Sequence, residues 1–163
     1  MAGMDKLVAL VNSFASAVLS VGREVGLNIS LDKAKVAQGV KVQNICTVAI
    51  IGVVGAGSRG TVNIMLDKDG FGNIIHAMSG GMILPEIGND VSMSVIGELS
   101  NMIGGRALVQ SALGTVDVTP PQLIFGDNIS NVARETNDMK SFTLPFTLTP
   151  NGRLSLVLSF KIE

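Results

Sequence analysis

SFTLPFTLTPNGRLSLVLSFKI, residues 141–162, decides the fold class. Polar and apolar residues alternate before the turn, and Leu154, Leu156, Leu158, Phe160 and Ile162 keep period two after it. That period puts one set of side chains on one face of a strand. Asn151-Gly152 between the two runs accepts the positive φ angles of a two-residue hairpin turn. An antiparallel hairpin with one apolar face is therefore expected, and that face must be covered by another layer. Pro145 lacks a backbone N–H, which predicts that its strand is an edge or a bulged one.

Upstream, VQNICTVAIIGVVG (42–55) and RGTVNIMLD (59–67) are β-branched runs separated by AGS, and they read as a second hairpin with a glycine-rich turn. TVDV (115–118) and QLIFG (122–126) read as short strands around Pro120 and Pro121, and residues 28–39 as a strand followed by a polar connection. Between these lie helical patterns. DKLVALVNSFASAVLSVGREVG (5–26) spaces Leu7, Val8, Leu10, Val11, Phe14, Ala15, Val18 and Leu19 at intervals near one turn, with Asp5 near its start and Gly22 or Gly26 to end it. A short helix is expected over 70–79, stopped by SGG. The loop LPEIGND then ends in the N-cap residues Asn89 and Asp90, and a long proline-free helix is expected over 91–113. About three helices and six or so strands, with hairpins dominant, describe an α+β fold: an antiparallel β-sheet with helices packed on one face. A length of 163 residues fits a single domain spanning 1–163.

Composition excludes several functions. The chain is 47% hydrophobic and only 15% charged, which leaves a charge-poor surface suited to a partner or a second copy. Twelve basic and thirteen acidic residues give a net charge of -1 with no block of either sign, so neither a nucleic-acid backbone nor an anionic membrane finds an attracting field. Six Phe without Trp or Tyr leave little for base stacking. Cys46 is the only cysteine, which removes disulfides and cysteine metal clusters, and its apolar setting predicts a buried, inert thiol. His76 is the only histidine, so a metal site on this chain is not expected. Asp5 and Lys6 precede the uncharged run 7–22 without a positive leading segment, and the uncharged run 42–58 is short for a membrane span, so cytoplasmic residence is the expectation.

Two motifs fail their structural conditions. GAGSRG (55–60) satisfies the dinucleotide glycine pattern, but the following TVNIML has a β pattern, whereas the pyrophosphate needs a helix N-terminus there. DKDG (67–70) begins like a calcium loop but places Phe71 at the next ligand position and has no closing glutamate. A nucleophile elbow, a His-Glu-x-x-His pair and a Lys-bearing phosphate loop are all missing from the sequence.

The helix expected over 91–113 carries the remaining signal. At 100° per residue Ser94, Glu98, Asn101 and Gly105 fall within an arc of about 60°, forming one polar stripe. Glu98 is the sole carboxylate between Asp90 and Asp117. Gly105, in line with Asn101, removes side-chain bulk and leaves room for another surface to approach. The stripe also has a plain structural account, in which Gly104 and Gly105 relieve helix packing and Glu98 is a solvated residue.

ELSNMIGG (98–105), with Ser94 before it and PPQLIFG (120–126) after it, resembles the phosphatase helix of the chemotaxis phosphatase CheX family, related to CheC and to the flagellar switch phosphatase FliY. The family pattern is Ser or Asp, three residues, Glu, two residues, Asn, three residues, Gly. Asn12 and Phe14 in an apolar helix and the strand-turn-strand GVVGAGSRGTVNIML (52–66) also resemble the family layout. CheC-like and FliY-like chains usually carry two such helices, whereas this one supports a single site, as CheX does.

The resemblance implies an enzyme: a protein aspartyl-phosphate phosphatase, acting on the phosphorylated receiver domain of a CheY-like response regulator in chemotaxis or related two-component signalling. It implies a homodimer, no cofactor on this chain, and Mg2+ in the partner receiver. Asn101 and Glu98 are then the catalytic pair, Asn101 orienting a water and Glu98 docking on the receiver's lysine, with Ser94, Glu98, Asn101 and Gly105 forming the partner-binding surface. The alternatives are a noncatalytic receiver-binding or flagellar-switch-related module and a small structural homo-oligomer with a vestigial stripe.

Overall fold

The computed structural model describes residues 2–55, 57–110, 116–129 and 139–162. In chain order the elements are α1 (Ala2–Glu24), β1 (Asn28–Leu31), a 3-10 turn (Lys33–Lys35), β2 (Ala37–Gln38), β3 (Ile45–Gly55), β4 (Ser58–Asp67), α2 (Lys68–Ser79), α3 (Asp90–Gln110), β5 (Val116–Val118), β6 (Gln122–Ile129), β7 (Lys140–Thr149) and β8 (Arg153–Ile162). The expected end of the third helix, residues 111–113, lies outside the described residues.

All eight strands join one antiparallel sheet, ordered β1-β7-β8-β4-β3-β5, with β2 also on β7 and β6 also on β3. Both expected hairpins form, but Asn151-Gly152 does not make a two-residue turn: the last pair of the C-terminal hairpin is Thr147 with Arg153, Leu148 N donates to Gly152 O (2.9 Å), and of the dipeptide Gly152 alone has a positive φ, 106°. Leu154, Leu156, Leu158 and Phe160 of β8 lie on the helix-covered face and are buried with Leu144, Phe146 and Leu148 of β7. GAGSRG closes the β3–β4 hairpin, where Gly55 pairs with Ser58, so the glycine pattern serves a turn. β3 bears a bulge between Ile45 and Thr47, and the same interruption recurs in its pairing with β6. A bulge deepens local twist, and here it falls where β3 is paired on both sides.

Pro145 corrects the edge-strand expectation. β7 is internal, paired with β8 on one side and with β1 and β2 on the other. Register on that other side runs from Thr149 to Phe146 with β1 and resumes at Thr143 with β2, so Pro145 falls in the interval that the 3-10 turn bridges. Its carbonyl accepts from Asp32 N (2.9 Å), which shows that its missing N–H also faces this interval. No ladder bond is lost, because none is offered there.

The three helices cover one face of the sheet. α1 contributes Leu7, Leu10, Phe14, Ala17, Val18 and Val21 to the main core, and α2 contributes Phe71, Ile74 and Ile75. By length and composition α1 could cross a membrane, but its apolar stripe faces this core, where each fully buried large side chain contributes roughly 1.5–3 kcal/mol. The opposite sheet face holds a smaller cluster of Ile45, Val48, Met65 and Val157, with Val40 and Val42 packed on it.

DKDG serves helix entry. Asp67 is the N-cap of α2, its Oδ1 accepting from Gly70 N (2.7 Å) and also from Arg153 N at the start of β8 (2.9 Å). Gly152, at φ 106°, lies so close to Gly70 that an added Cβ would sit 2.4 Å from its nitrogen. One carboxylate therefore joins the start of α2 to the C-terminal hairpin. Asp67→Ala is expected to lower the unfolding free energy by about 2 kcal/mol, the loss of a cap plus one further hydrogen bond. Urea denaturation checks this as a lower midpoint at unchanged slope.

Candidate functional site

The N-terminus of α3 is capped by Asn89, whose Oδ1 accepts from Val91 N (3.0 Å) and Ser92 N (3.3 Å) while its carbonyl accepts from Met93 N (2.8 Å). This satisfies donors that a helix start leaves open. Buried Ser92 accepts through Oγ from Glu86 N (3.1 Å), pinning the preceding loop to the first turn. Met93, Ile96, Leu99, Ile103 and Ala107 enter the main core. A Cβ on Gly97 would touch Leu123 of β6, and one on Gly104 would touch Ile51 of β3 and Val118 of β5, so that flank of α3 lies on the sheet.

The opposite arc faces outward. Ser94, Glu98, Asn101 and Gly105 are all exposed, as the stripe predicted. Ser94 Oγ donates back to Asp90 O (2.8 Å), a bond within the helix that turns its hydroxyl along the helix axis. Glu98 and Asn101 make no hydrogen bond or ion pair among the described residues, and both remain available to another molecule. A Cβ on Gly105 would meet nothing within 4 Å. The adjacent glycines thus face different ways: Gly104 toward the sheet, where a Cβ would make ordinary contact, and Gly105 outward, leaving the surface beyond Asn101 open.

Arg106 is the part of the site that sequence reasoning missed. Its Nη1 donates to Ser20 Oγ (2.8 Å) and its Nη2 forms an ion pair with Glu24, so the one cation of α3 clamps this helix to the end of α1. Met102, Gly105, Arg106, Val109 and Ser20 line a shallow recess of about 500 Å³ where the two helices meet. The only sequence signal was the isolation of Arg106 on a helix otherwise poor in charge, and nothing local names its partner.

The remaining candidates stay apart from this surface. Cys46 is buried with Sγ 3.6 Å from Thr47 Oγ1, and burial pushes its thiol pKa up, which disfavours the nucleophilic thiolate. His76 is exposed on α2, along a cleft of about 660 Å³ that Lys68, Asp69, Asn73 and Glu86 also line. Among the described residues no three His, Cys, Asp or Glu side chains come together as a metal site. The surface at α3 therefore offers an amide, a carboxylate and an open approach.

Comparison with known proteins places this geometry in context. The family model for the chemotaxis phosphatase CheX matches residues 47–147. The CheX protein of Vibrio vulnificus has a TM-score of 0.78 and 23% identity, covering 93% of this chain and 99% of its own. A CheC-like superfamily protein from Shewanella sp. PV-4 has a TM-score of 0.76 and 22% identity, covering 94% and 98% respectively. CheX of Borrelia burgdorferi, solved as a complex with CheY, BeF3 and Mg2+, has a TM-score of 0.69 and 18% identity, covering 93% and 97%. No curated protein matches the chain.

Gly105 weakens the helix that it opens to the outside. Gly105→Ala places its methyl in open space, and alanine is better than glycine in a helix by about 1 kcal/mol. The variant is expected to melt about 2–4 °C higher than the wild type, checked by calorimetry.

Proposed function

The chain belongs to the chemotaxis phosphatase CheX family, and from that membership we propose that it hydrolyses the aspartyl phosphate of a CheY-like response-regulator receiver domain. The observation that carries this reading is the exposed, unengaged pair of Glu98 and Asn101, one turn apart on a capped and clamped helix. The Borrelia burgdorferi neighbour, solved with CheY, BeF3 and Mg2+, supports a receiver domain as the partner.

In this mechanism the acyl phosphate already resides in the receiver, together with that domain's magnesium and lysine. This chain contributes no nucleophile. Asn101 enters the receiver site and holds a water in line with phosphorus, its amide offering both a donor and an acceptor for that purpose. Water attacks phosphorus, the bond to the aspartyl oxygen breaks, and inorganic phosphate and a free carboxylate result. Magnesium in the receiver neutralises charge on the transferring group. Glu98 pairs with the receiver's lysine, docking the helix and fixing the angle at which Asn101 arrives. The exposed Ser94 backbone turn and the open surface at Gly105 complete the docking arc.

The proposal includes cytoplasmic residence, a single domain and a homodimer. A charge-poor surface with Ile124 and Phe125 exposed on β6 supports the last of these.

Phosphate release from an acetyl-phosphate-labelled receiver domain of the same cell tests the reading. The wild type is expected to accelerate decay over the receiver alone. Asn101→Ala should lower kcat about a hundredfold, the order expected when a reacting water loses its positioning. Glu98→Ala should raise KM roughly tenfold or more, since a docking charge acts before chemistry. Tight binding of the labelled receiver without faster decay would assign the chain instead as a noncatalytic receiver-binding module.

A further inference from the structure

The exposed arc of α3 extends beyond the polar motif at both ends. Taking 100° per residue, Val91 and Val109 point in the same direction, about 20° from Glu98 and 40° from Gly105. They are 55% and 87% exposed and are the exposed large apolar side chains of α3 among the described residues. Val91 precedes Glu98 by about 10 Å and Val109 follows Asn101 by about 12 Å, at 1.5 Å rise per residue. The result is a ridge about 27 Å long, with valine at each end and the amide-carboxylate pair between them.

Among the described residues neither valine is buried against the core. A β-branched side chain loses rotamer freedom in a helix, and an exposed one also leaves apolar surface in water. Their surroundings extend the apolar character. Leu84 and Met82 are exposed in the loop that Ser92 ties to the first turn, close in sequence to Val91. At the other end, Val109 and Met102 wall the recess floored by Gly105, with Ser20 and Arg106 at its side. The guanidinium of Arg106 is already engaged by Ser20 and Glu24, so the recess offers shape and apolar surface.

We infer that Val91 and Val109 are apolar anchors that select the receiver domain, flanking the pair that acts on its phosphate. The inference rests on the proposed function and names the recognition chemistry of the same surface. The occupant is the face of a receiver around its acyl phosphate, with an apolar side chain on each flank, one of them entering the recess at Gly105. Continuity decides for this occupant, because both valines stand about 20° from Glu98 on the exposed side of the same helix, with Asn101 about 80° from them round that side, so a domain docked on Glu98 lies along the line of the valines.

The test compares Val91→Ser, Val109→Ser and the double variant with the wild type on the labelled receiver, with Val109→Ile as the apolar control. Each serine is expected to raise KM roughly tenfold, the loss of one buried valine side chain. The two effects should multiply, because the sites are far apart. kcat should stay unchanged, and Val109→Ile should keep the wild-type KM. An unaltered KM in the double variant, with Asn101→Ala inactive, overturns the anchors and leaves the phosphatase reading intact. If the wild type fails to hydrolyse, affinity for the receiver loaded with beryllium fluoride is measured instead. Weaker binding by the double variant then supports the anchors without catalysis, and equal binding overturns them. A fall from dimer to monomer mass in sedimentation, at unchanged KM or affinity, assigns the ridge to contact between copies of this chain and also overturns the proposal.

Discussion

The structure depends on the burial of one side of α3 while the other side is kept bare. Met93, Ile96, Leu99, Ile103 and Ala107 are fixed in the core, and rotation of the helix about its axis would expose them. A turn of 100° would exchange Glu98 for its buried neighbour Leu99. The hydrophobic term that stabilises the fold therefore sets the direction in which Glu98 and Asn101 point. Sliding along the axis is opposed separately, by the bonds of Arg106 to Ser20 and Glu24 of α1. Those contacts are few and polar, but they act along the coordinate that packing leaves softest.

The sheet serves this placement more than it serves chemistry of its own. β3 runs through the middle of the sheet with β4 on one side and β5 and β6 on the other, and its Ile51, with Val118 of β5, lies beneath Gly104. An alanine at 104 would meet those neighbours at ordinary contact distance, and a longer side chain there would have to displace them from beneath the turn that carries Asn101. α1 braces the helix from the side through Ser20 and Glu24. The site's precision thus comes from elements that contribute no residue to it, as expected where function needs a fixed geometry on a regular helix.

What could be read in the sequence follows from how local each signal is. The C-terminal hairpin was legible because period two and the apolar set lie within one stretch, while its turn was misplaced, the connection running over residues 148–152 instead of closing on Asn151-Gly152. The outer stripe of α3 was legible for the same reason, since 3.6-residue periodicity alone puts 94, 98, 101 and 105 together. β1 and β2 were read only as a strand and a connection because both are short and their pairing with β7 is distant in sequence. Pro145 misled because a missing donor was treated as a property of the whole strand, when it concerns one side of one residue. Gly104 and Gly105 are the same letter with different roles, separated only by the rotation between successive residues. The Arg106 clamp joins two helices far apart in the chain, and nothing local to Arg106 names its partners.

A sparse site is consistent with this economy of parts. A chain that must bind, activate and cleave on its own needs ionisable groups with shifted affinities for protons, and these require buried charge and compensating partners. Where the reactive bond, the cation and the lysine all arrive with another protein, the demand falls to geometry and association. Geometry is supplied by a clamped helix, and association by a surface with little charge to desolvate. On the proposed reading, the low charge content that argues in the sequence against nucleic acid and anionic membrane also favours contact between the apolar ridge and a second folded domain, because few ions must lose water when the two faces close.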